Sequence, residues 1–301
     1  MISNYGSTNN KDRIMNNLLG IHYGSFVSNW DEDQYHLIPK VKELGFDLLE
    51  FGAPWLLTLD DKSIAKFRKA ADDNNIQLAM SLGLSVDQDI SSEDPVIRET
   101  GLELLIKLAV AMSKVGAKVC SGIVHGAWNG KIKEYKEKAS RWDNSVRTMK
   151  EACKVFSSEG VVFNVEVVNR FENFLVNNCS EAIKYLDDVN SPTLGIHLDT
   201  FHMNIEEDSF VEAIISAGDR LKHFHIGENN RKFPGMGMMP WKEIFAALNA
   251  ISYQGAIAME PFVRPGGEVG SAVSLYRELM ELSNYDNDIR RSVAFVRGLM
   301  V

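Results

Sequence analysis

Cysteine is scarce in this sequence, and the few that occur show neither metal-binding nor disulfide spacing. Cys120, Cys153 and Cys179 are isolated, and none belongs to a CxxC or CxxH motif. An odd number of isolated cysteines argues against a disulfide framework and against a thiolate metal site. We therefore predict that all three are buried, reduced thiols.

Long apolar runs, an excess of basic charge and a secretion signal are also missing. The most apolar stretch, Leu102–Met112, contains Glu103 and Lys107, whereas a membrane span requires roughly 18 apolar residues. The 41 acidic side chains outnumber the 32 basic ones, which disfavours nucleic acid as a partner. Met1–Lys11 lacks a charged-then-apolar pattern. These absences predict a cytoplasmic protein without membrane partners.

What the sequence does contain is a regular alternation of short apolar runs with amphipathic segments. Its 301 residues are 45% hydrophobic and 24% charged, as in an ordinary globular protein. Between most runs, apolar residues recur three or four positions apart, which is typical of helices. The runs predict eight strands: Leu18–Tyr23, Phe46–Phe51, Ile76–Leu82, Ala117–Ile123, Val161–Val167, Leu194–Leu198, Leu221–Ile226 and Gly255–Met259.

Strands that alternate with helices predict an α/β fold with a parallel sheet covered by helices. At this chain length a closed (β/α)8 TIM barrel fits better than an open doubly wound sheet, and no GxGxxG motif follows the first strand. Helix signals agree with this alternation: Asp94 and Pro95 mark a helix start, Gly116 marks its end, and Pro240 marks a second start.

No linker or low-complexity block divides the chain. We expect a polar N-terminal tail over residues 1–17 and a single barrel domain over residues 18–301. Within that domain, Ser271–Val301 is predicted to form the closing helices.

Four of the predicted strands end in polar residues. Glu166, Asp199, His225 and Glu260 end strands five, six, seven and eight. The carboxyl ends of barrel strands form the active-site face, so these side chains are expected to meet at one rim. One such carboxylate alone is usually a helix cap or a salt-bridge partner. Three together would repel one another unless a cation neutralised them, so we predict a divalent metal site suited to Mn²⁺, Co²⁺ or Mg²⁺.

Histidines accompany two of these strand ends. His197 and His223 lie two residues before the candidate ligands of their strands, hence deeper on the same face, and we interpret both as hydrogen-bonded core histidines. His202 lies three residues after Asp199, a spacing that allows it to act beside a ligand as a hydrogen-bond donor.

Other candidates lie in the loops beyond the strands. Glu172 and Arg231 follow strands five and seven, and the residues alone favour exposed surface charges at both positions. Trp30 and Trp128 follow strands one and four, where indole rings often line a pocket and stack on sugars. Core packing is the alternative for both tryptophans.

Four segments of the chain carry a family resemblance. Glu166–Glu172 reads EVVNRFE, Leu198–Glu207 reads LDTFHMNIEE, His223–Arg231 reads HFHIGENNR and Met259–Phe262 reads MEPF. In this order they resemble the ketose 3-epimerase family, which includes the D-tagatose and D-psicose (D-allulose) 3-epimerases. The likeness extends from about Gly20 to the C-terminus.

The resemblance implies a xylose isomerase-like TIM barrel that binds one divalent ion, with Mn²⁺ as the first expectation. It also implies a small ketose substrate and a homodimer or homotetramer. It matches Glu166, Asp199, His225 and Glu260 to the metal ligands. The residues that it places on the sugar are Glu172, His202, Arg231, Trp30 and Trp128.

Three positions depart from the family pattern. His22 stands where family members commonly carry an aromatic residue, so we include it among the substrate contacts. His197 replaces a residue that is usually not histidine, and Met238 stands where a basic residue is common. None of the three belongs to the expected ligand set.

The resemblance implies inversion of a ketose at C3 through a cis-enediolate. We hypothesise that Glu166 and Glu260 are the two acid/base groups, one on each face of the sugar. Three alternatives remain open: an aldose–ketose or hydroxypyruvate-type isomerase, a sugar-binding barrel without catalysis, and a metal-dependent apurinic endonuclease, which the charge of −9 disfavours.

Overall fold

Eight parallel strands close into a barrel in their order along the chain. The computed structural model describes residues 14–301. All eight predicted strands are confirmed, although β4 continues past Ile123 to Ala127. The strands are β1 (Leu19–His22), β2 (Leu48–Gly52), β3 (Gln77–Leu84), β4 (Val119–Ala127), β5 (Val162–Val167), β6 (Leu194–Asp199), β7 (Leu221–Ile226) and β8 (Ala256–Met259).

Helices alternate with the strands. Asp94 accepts a hydrogen bond from the Val96 amide at 2.8 Å, and Gly116 has the left-handed φ of +83° that ends a helix, so both predicted signals are confirmed. The helices are α1 (Leu37–Leu44), α2 (Ala53–Leu56), α3 (Asp61–Asn74), α4 (Pro95–Val115), α5 (Glu137–Glu159), α6 (Cys179–Val189), α7 (Thr200–Glu206), α8 (Phe210–Ala217), α9 (Trp241–Ala250), α10 (Gly267–Ala272) and α11 (Tyr285–Leu299). Pro240 immediately precedes α9, as predicted.

The two faces of the strands have different chemistry. Val165, Ile196 and Phe224 are fully buried and lie on the face that packs against the helices. The residues that alternate with them point into the barrel, where polar side chains are common; Asn164, for example, donates to the Ser121 hydroxyl at 3.0 Å. Polar residues at the C-terminal ends of the strands therefore converge inside the barrel mouth.

The two ends of the described part of the chain contact the barrel in different ways. Residues 1–13 of the predicted tail lie outside the described residues. Asn17, at its end, is buried and donates to the carbonyl groups of Tyr253 and Gly255, so it packs on the barrel. Within the predicted closing helices, residues 273–281 are not helical, because Ser274 takes a left-handed φ of +55° after α10. The division into tail and barrel domain stays a prediction.

Two further predictions from composition can be checked in residues 14–301. All three cysteines are buried and unpaired, as predicted. No helix in this part of the chain combines the length and the apolar character that a bilayer crossing requires.

Gly122 is a position in β4 that excludes any side chain. Its φ is +140°, and a Cβ atom there would lie 2.1 Å from the Leu82 carbonyl oxygen on β3. We expect Gly122→Ala to lower the free energy of unfolding by at least about 3 kcal/mol, because backbone strain adds to a backbone clash. Urea denaturation followed by circular dichroism measures this loss.

Gly160→Ala is the matched control. Gly160 also has a positive φ, of +65°, but a Cβ atom there meets nothing within 4 Å. Only the left-handed conformation is then penalised, by about 1–2 kcal/mol. Equal losses in the two variants would contradict the clash at Gly122.

Candidate active site

The four predicted ligands meet at the mouth of the barrel. Glu166 and His225 are the second-to-last residues of β5 and β7, Asp199 ends β6, and Glu260 directly follows β8. One ligand atom from each residue lies within 4.8 Å of the others, and all four side chains are buried. We call these four residues the ligand cluster.

Two atoms of the ligand cluster show whether a cation fits. Asp199 caps α7 by accepting from the Phe201 amide, but its other oxygen, Oδ2, is buried without a hydrogen-bond partner among the described residues. His225 Nδ1 is equally without one, and it lies 3.7 Å from Asp199 Oδ2 and 3.5 Å from Glu260 Oε1. Buried acceptors that face one another in this way fit a divalent cation bound by three carboxylates and one imidazole.

The electrostatics of the ligand cluster agree with this assignment. Burial and the neighbouring Glu260 carboxylate raise the pKa of Glu166 well above its usual value. Burial also opposes ionisation of Glu260, but the charge of His225 outweighs it and lowers the pKa of Glu260. Without a cation, the surrounding groups therefore favour the protonated form of Glu166 and the ionised form of Glu260. A bound cation would favour the ionised form of both.

Glu50 is a site residue that the sequence analysis missed. It lies on β2, inside the apolar run Phe46–Phe51, and it is fully buried below the ligand cluster. Its Oε2 accepts from His225 Nε2 at 2.6 Å and lies 3.3 Å from His223 Nε2. Burial opposes its ionisation, yet these two imidazoles hold its pKa well below the usual value. The sequence did contain one signal for this residue, since an acidic side chain within an apolar strand is unusual and indicates a buried polar role.

The two deeper histidines differ from each other. His223 is buried and faces Glu50, as expected of a hydrogen-bonded core histidine. His197 is fully buried, but neither of its ring nitrogens has a hydrogen-bond partner within residues 14–301. The prediction of a hydrogen-bonded side chain is therefore wrong for His197, because its neighbours are mainly other rings. Its ring centroid lies 4.1 Å from that of His225.

Glu172 and Arg231 are not the exposed surface charges that the residues alone favoured. Arg231 donates to Glu172 Oε1 at 3.3 Å and to Glu260 Oε2 at 3.2 Å. Its guanidinium lies 3.6 Å from the centroid of the Phe201 ring. Burial opposes ionisation of Glu172, but His202 and Arg231 lower the pKa of this carboxyl. Loop residues after β5 and β7 thus form a charged network at the edge of the ligand cluster.

His202 joins this network from α7. Its Nδ1 accepts from the Asn169 backbone amide at 3.2 Å, which leaves the proton of a neutral ring on Nε2. Nε2 lies 3.7 Å from Glu166 Oε1. The side chain is therefore directed at the ligand cluster, in agreement with the predicted donor role, which stays a prediction.

A cavity of about 180 Å³ lies beside the ligand cluster. Trp30 and Trp128 both line it, with their ring centroids 5.7 Å apart, so the pocket alternative applies to both, and Trp30 also packs against the hydrophobic core. His22 also lines the cavity; its Nδ1 accepts from the Gly24 amide at 3.2 Å, and burial lowers its pKa. The sequence analysis missed other lining residues, among them Tyr23, Ser81, Phe262 and Val273.

Met238, the third departure from the family pattern, has 83% of its surface exposed and does not line the cavity. It takes no part in the ligand cluster or the charged network around it.

The Trp128 indole provides a test of the charged network. Its Nε1–H donates to Glu172 Oε2 at 2.9 Å. We expect Trp128→Phe to raise the KM for ketose about 10-fold with kcat changed less than about 3-fold, because Glu172, the carboxylate that the family resemblance predicts to contact substrate, loses one of its donors. Steady-state kinetics of sugar conversion measure both constants.

Trp142→Phe is the matched control, since Trp142 Nε1 donates to Asp188 Oδ2 at 2.8 Å between α5 and α6, away from the cavity. It should leave KM unchanged. Equal kinetics in both variants would contradict a substrate role for the Trp128–Glu172 pair.

Known proteins resemble this chain in sequence and in fold. Residues 38–285 match the family model of the xylose isomerase-like TIM barrel. The chain is 37% identical to the D-psicose 3-epimerase of Agrobacterium fabrum, over 93% of this chain and 98% of that protein. It is 40% identical to the D-psicose 3-epimerase of Ruminiclostridium cellulolyticum, over 86% of this chain and 89% of that protein.

A solved structure gives the same relationship. The D-psicose 3-epimerase of Clostridium cellulolyticum H10, determined with D-tagatose, aligns with a TM-score of 0.91 at 37% identity and covers 94% of this chain and 99% of its own. The fold and the site thus define an enzyme of the xylose isomerase-like barrel class. Within that class, the chain belongs to the ketose 3-epimerase family.

Proposed function

We propose that this enzyme interconverts free ketoses that differ in configuration at C3, with D-psicose and D-fructose as the first pair to test and D-tagatose and D-sorbose as the second. The names of its relatives support D-psicose, and solved structures of related enzymes were determined with D-fructose or D-tagatose. D-Fructose is the C3 epimer of D-psicose, and D-sorbose is the C3 epimer of D-tagatose. We further propose Mn²⁺ as the ion of the ligand cluster, with Co²⁺ and Mg²⁺ as alternatives. The resemblance also supports a homodimer or homotetramer, and the sequence pattern of Met1–Lys11 supports a cytoplasmic location.

One observation carries the proposal. Glu166 and Glu260 approach a single cavity from β5 and β8, which lie on different sides of the barrel. Inversion of a carbon requires one group to remove the proton from one face and another to return a proton to the other face. Two carboxylates that reach the same space from separate strands supply this arrangement.

The reaction then follows from the chain's own groups. One glutamate takes the C3 proton, and the electron pair of the C–H bond moves into the bond between C2 and C3 as the carbonyl oxygen gains negative charge. The other glutamate, which has taken up a proton from solvent, donates that proton to the opposite face of C3, and the C2 carbonyl re-forms. A divalent ion held by Glu166, Asp199, His225 and Glu260 would supply Lewis-acid stabilisation of negative charge on oxygen.

The charged network orients the sugar during these steps. Arg231 is held between Glu172 and Glu260, so its guanidinium has a fixed position from which to donate to an oxygen near C2. The Nε2–H of His202 has the same role beside Glu166. Glu172 accepts from sugar hydroxyls, while Trp30, Trp128 and His22 contact the remainder of the sugar.

Product identification tests the proposed function. The purified enzyme with Mn²⁺ is incubated separately with D-fructose, D-psicose, D-tagatose, D-sorbose and L-ribulose, and the products are separated by liquid chromatography and assigned by ¹³C NMR. We expect the C3 epimer of at least one of these ketoses. Formation of an aldose would instead indicate an isomerase, and binding without conversion would indicate a sugar-binding barrel.

A further inference from the structure

Glu50 is a buried carboxylate that the proposed mechanism does not use. It has no exposed surface, it does not line the cavity and it is not a member of the ligand cluster. A buried carboxylate costs several kcal/mol unless it is fully paired. Glu50 is only partly paired, since its Oε1 has no hydrogen-bond partner among residues 14–301. Fold stability alone therefore gives a poor account of a carboxylate at this position.

The contacts of its second oxygen point to a role at His225. Glu50 Oε2 accepts from His225 Nε2 at 2.6 Å. The other ring nitrogen, Nδ1, faces Asp199 Oδ2 and Glu260 Oε1 at 3.7 and 3.5 Å. An imidazole that binds a metal through Nδ1 keeps its proton on Nε2, which is the nitrogen that contacts Glu50.

We propose that Glu50 is a positioning residue for the divalent ion: it fixes the tautomer and the ring orientation of His225 so that Nδ1 is presented as a ligand. Ligand histidines in proteins depend on such carboxylate partners, and loss of the partner commonly weakens metal binding about 10–100-fold. His223 helps to hold the Glu50 carboxylate in place, because its Nε2 lies 3.3 Å from the same Glu50 oxygen. The inference rests on the proposed function only in that the ligand cluster binds a metal.

Direct metal binding by the Glu50→Gln variant tests this role without any sugar. Free Mn²⁺ is titrated into metal-stripped protein and quantified by electron paramagnetic resonance. We expect the Kd for Mn²⁺ to rise about 10–100-fold, because the neutral amide is a weaker acceptor that no longer fixes the Nε2 proton. Far-ultraviolet circular dichroism and thermal unfolding check that the variant keeps the fold.

His125→Gln is the matched control. His125 on β4 is as buried as Glu50, but its ring centroid lies 6.1 Å from that of Tyr185 and it belongs to neither group of side chains that could hold a metal within residues 14–301. Its replacement should change the Kd for Mn²⁺ less than about 3-fold. An unchanged Kd in Glu50→Gln, or an equal loss in both variants, would overturn the role of Glu50.

A measurement on the wild-type protein keeps the proposal testable should Glu50→Gln fail to fold. Ring ¹⁵N chemical shifts of labelled histidine, recorded with diamagnetic Mg²⁺, report which nitrogen of His225 carries the proton. We expect a protonated Nε2 and an unprotonated Nδ1, and the reverse tautomer would overturn the proposal. Wild-type protein that binds no Mn²⁺ would instead refute the metal site itself, so the two failures can be told apart.

Discussion

Replacing Glu260 with glutamine is expected to lower the turnover of ketose epimerisation by at least about 10²–10⁴-fold, and Glu166→Gln is expected to do the same. An amide cannot exchange a proton with C3, and it is also a weaker ligand than a carboxylate. Both glutamates line the cavity and both belong to the ligand cluster. Because each is proposed to serve one face of C3, neither can substitute for the other. Initial rates with the best ketose of the product screen measure the loss.

Two controls separate chemistry from folding and from metal loss. Glu212→Gln removes an exposed carboxylate on α8 and should leave turnover unchanged. Bound metal in each active-site variant is measured by mass spectrometry and restored with excess Mn²⁺ before the assay. Near-normal epimerisation by either metal-loaded Glu166→Gln or Glu260→Gln would refute the scheme of two acid/base groups.

Removal of the metal is expected to have the second large effect. Dialysis against a chelator should reduce turnover at least about 100-fold, because the substrate oxygen loses its Lewis acid and because Glu166, whose pKa is raised by burial, loses the cation that favours its ionised form. Added Mn²⁺ or Co²⁺ should restore it. Thermal unfolding should also shift to lower temperature in the stripped protein, because an ion that binds the folded state stabilises it.

The chelator is removed and the metal content of the protein is measured before the assay, so that any loss of turnover reflects the missing metal and not residual chelator. Asp199→Asn is a second route to the same state, because Asp199 Oδ2 has no partner other than the expected ion among the described residues. Full turnover of verified metal-free protein would contradict the metal site.

The fold was predictable from the sequence because its signals are local. Each buried strand of a parallel barrel is a short apolar run, and the boundaries of α4 follow from Asp94 and Gly116 at its ends. The ligand cluster was predictable for a related reason. Polar residues at the ends of successive strands meet on one face of any such barrel, whatever the details of its loops.

The remainder of the site depends on contacts between distant parts of the chain. Glu50 reaches His225 from β2 across the barrel interior, and the distance between them is set by barrel closure rather than by sequence spacing. Glu172 and Arg231 lie in separate loops, where the surrounding residues are as typical of the surface as of a half-buried ion pair. Their roles could be inferred only from the family resemblance.

Isotope incorporation at C3 tests the central claim most directly. The enzyme with Mn²⁺ is incubated in D₂O with the best ketose of the screen, and both sugars are examined by NMR before equilibrium. Inversion through two carboxylates requires that the proton returned to C3 comes from a group that exchanges with solvent, so the account predicts deuterium at C3 of the epimer formed. An epimer that retains the original C3 hydrogen, or deuterium at C1 together with an aldose, would contradict it.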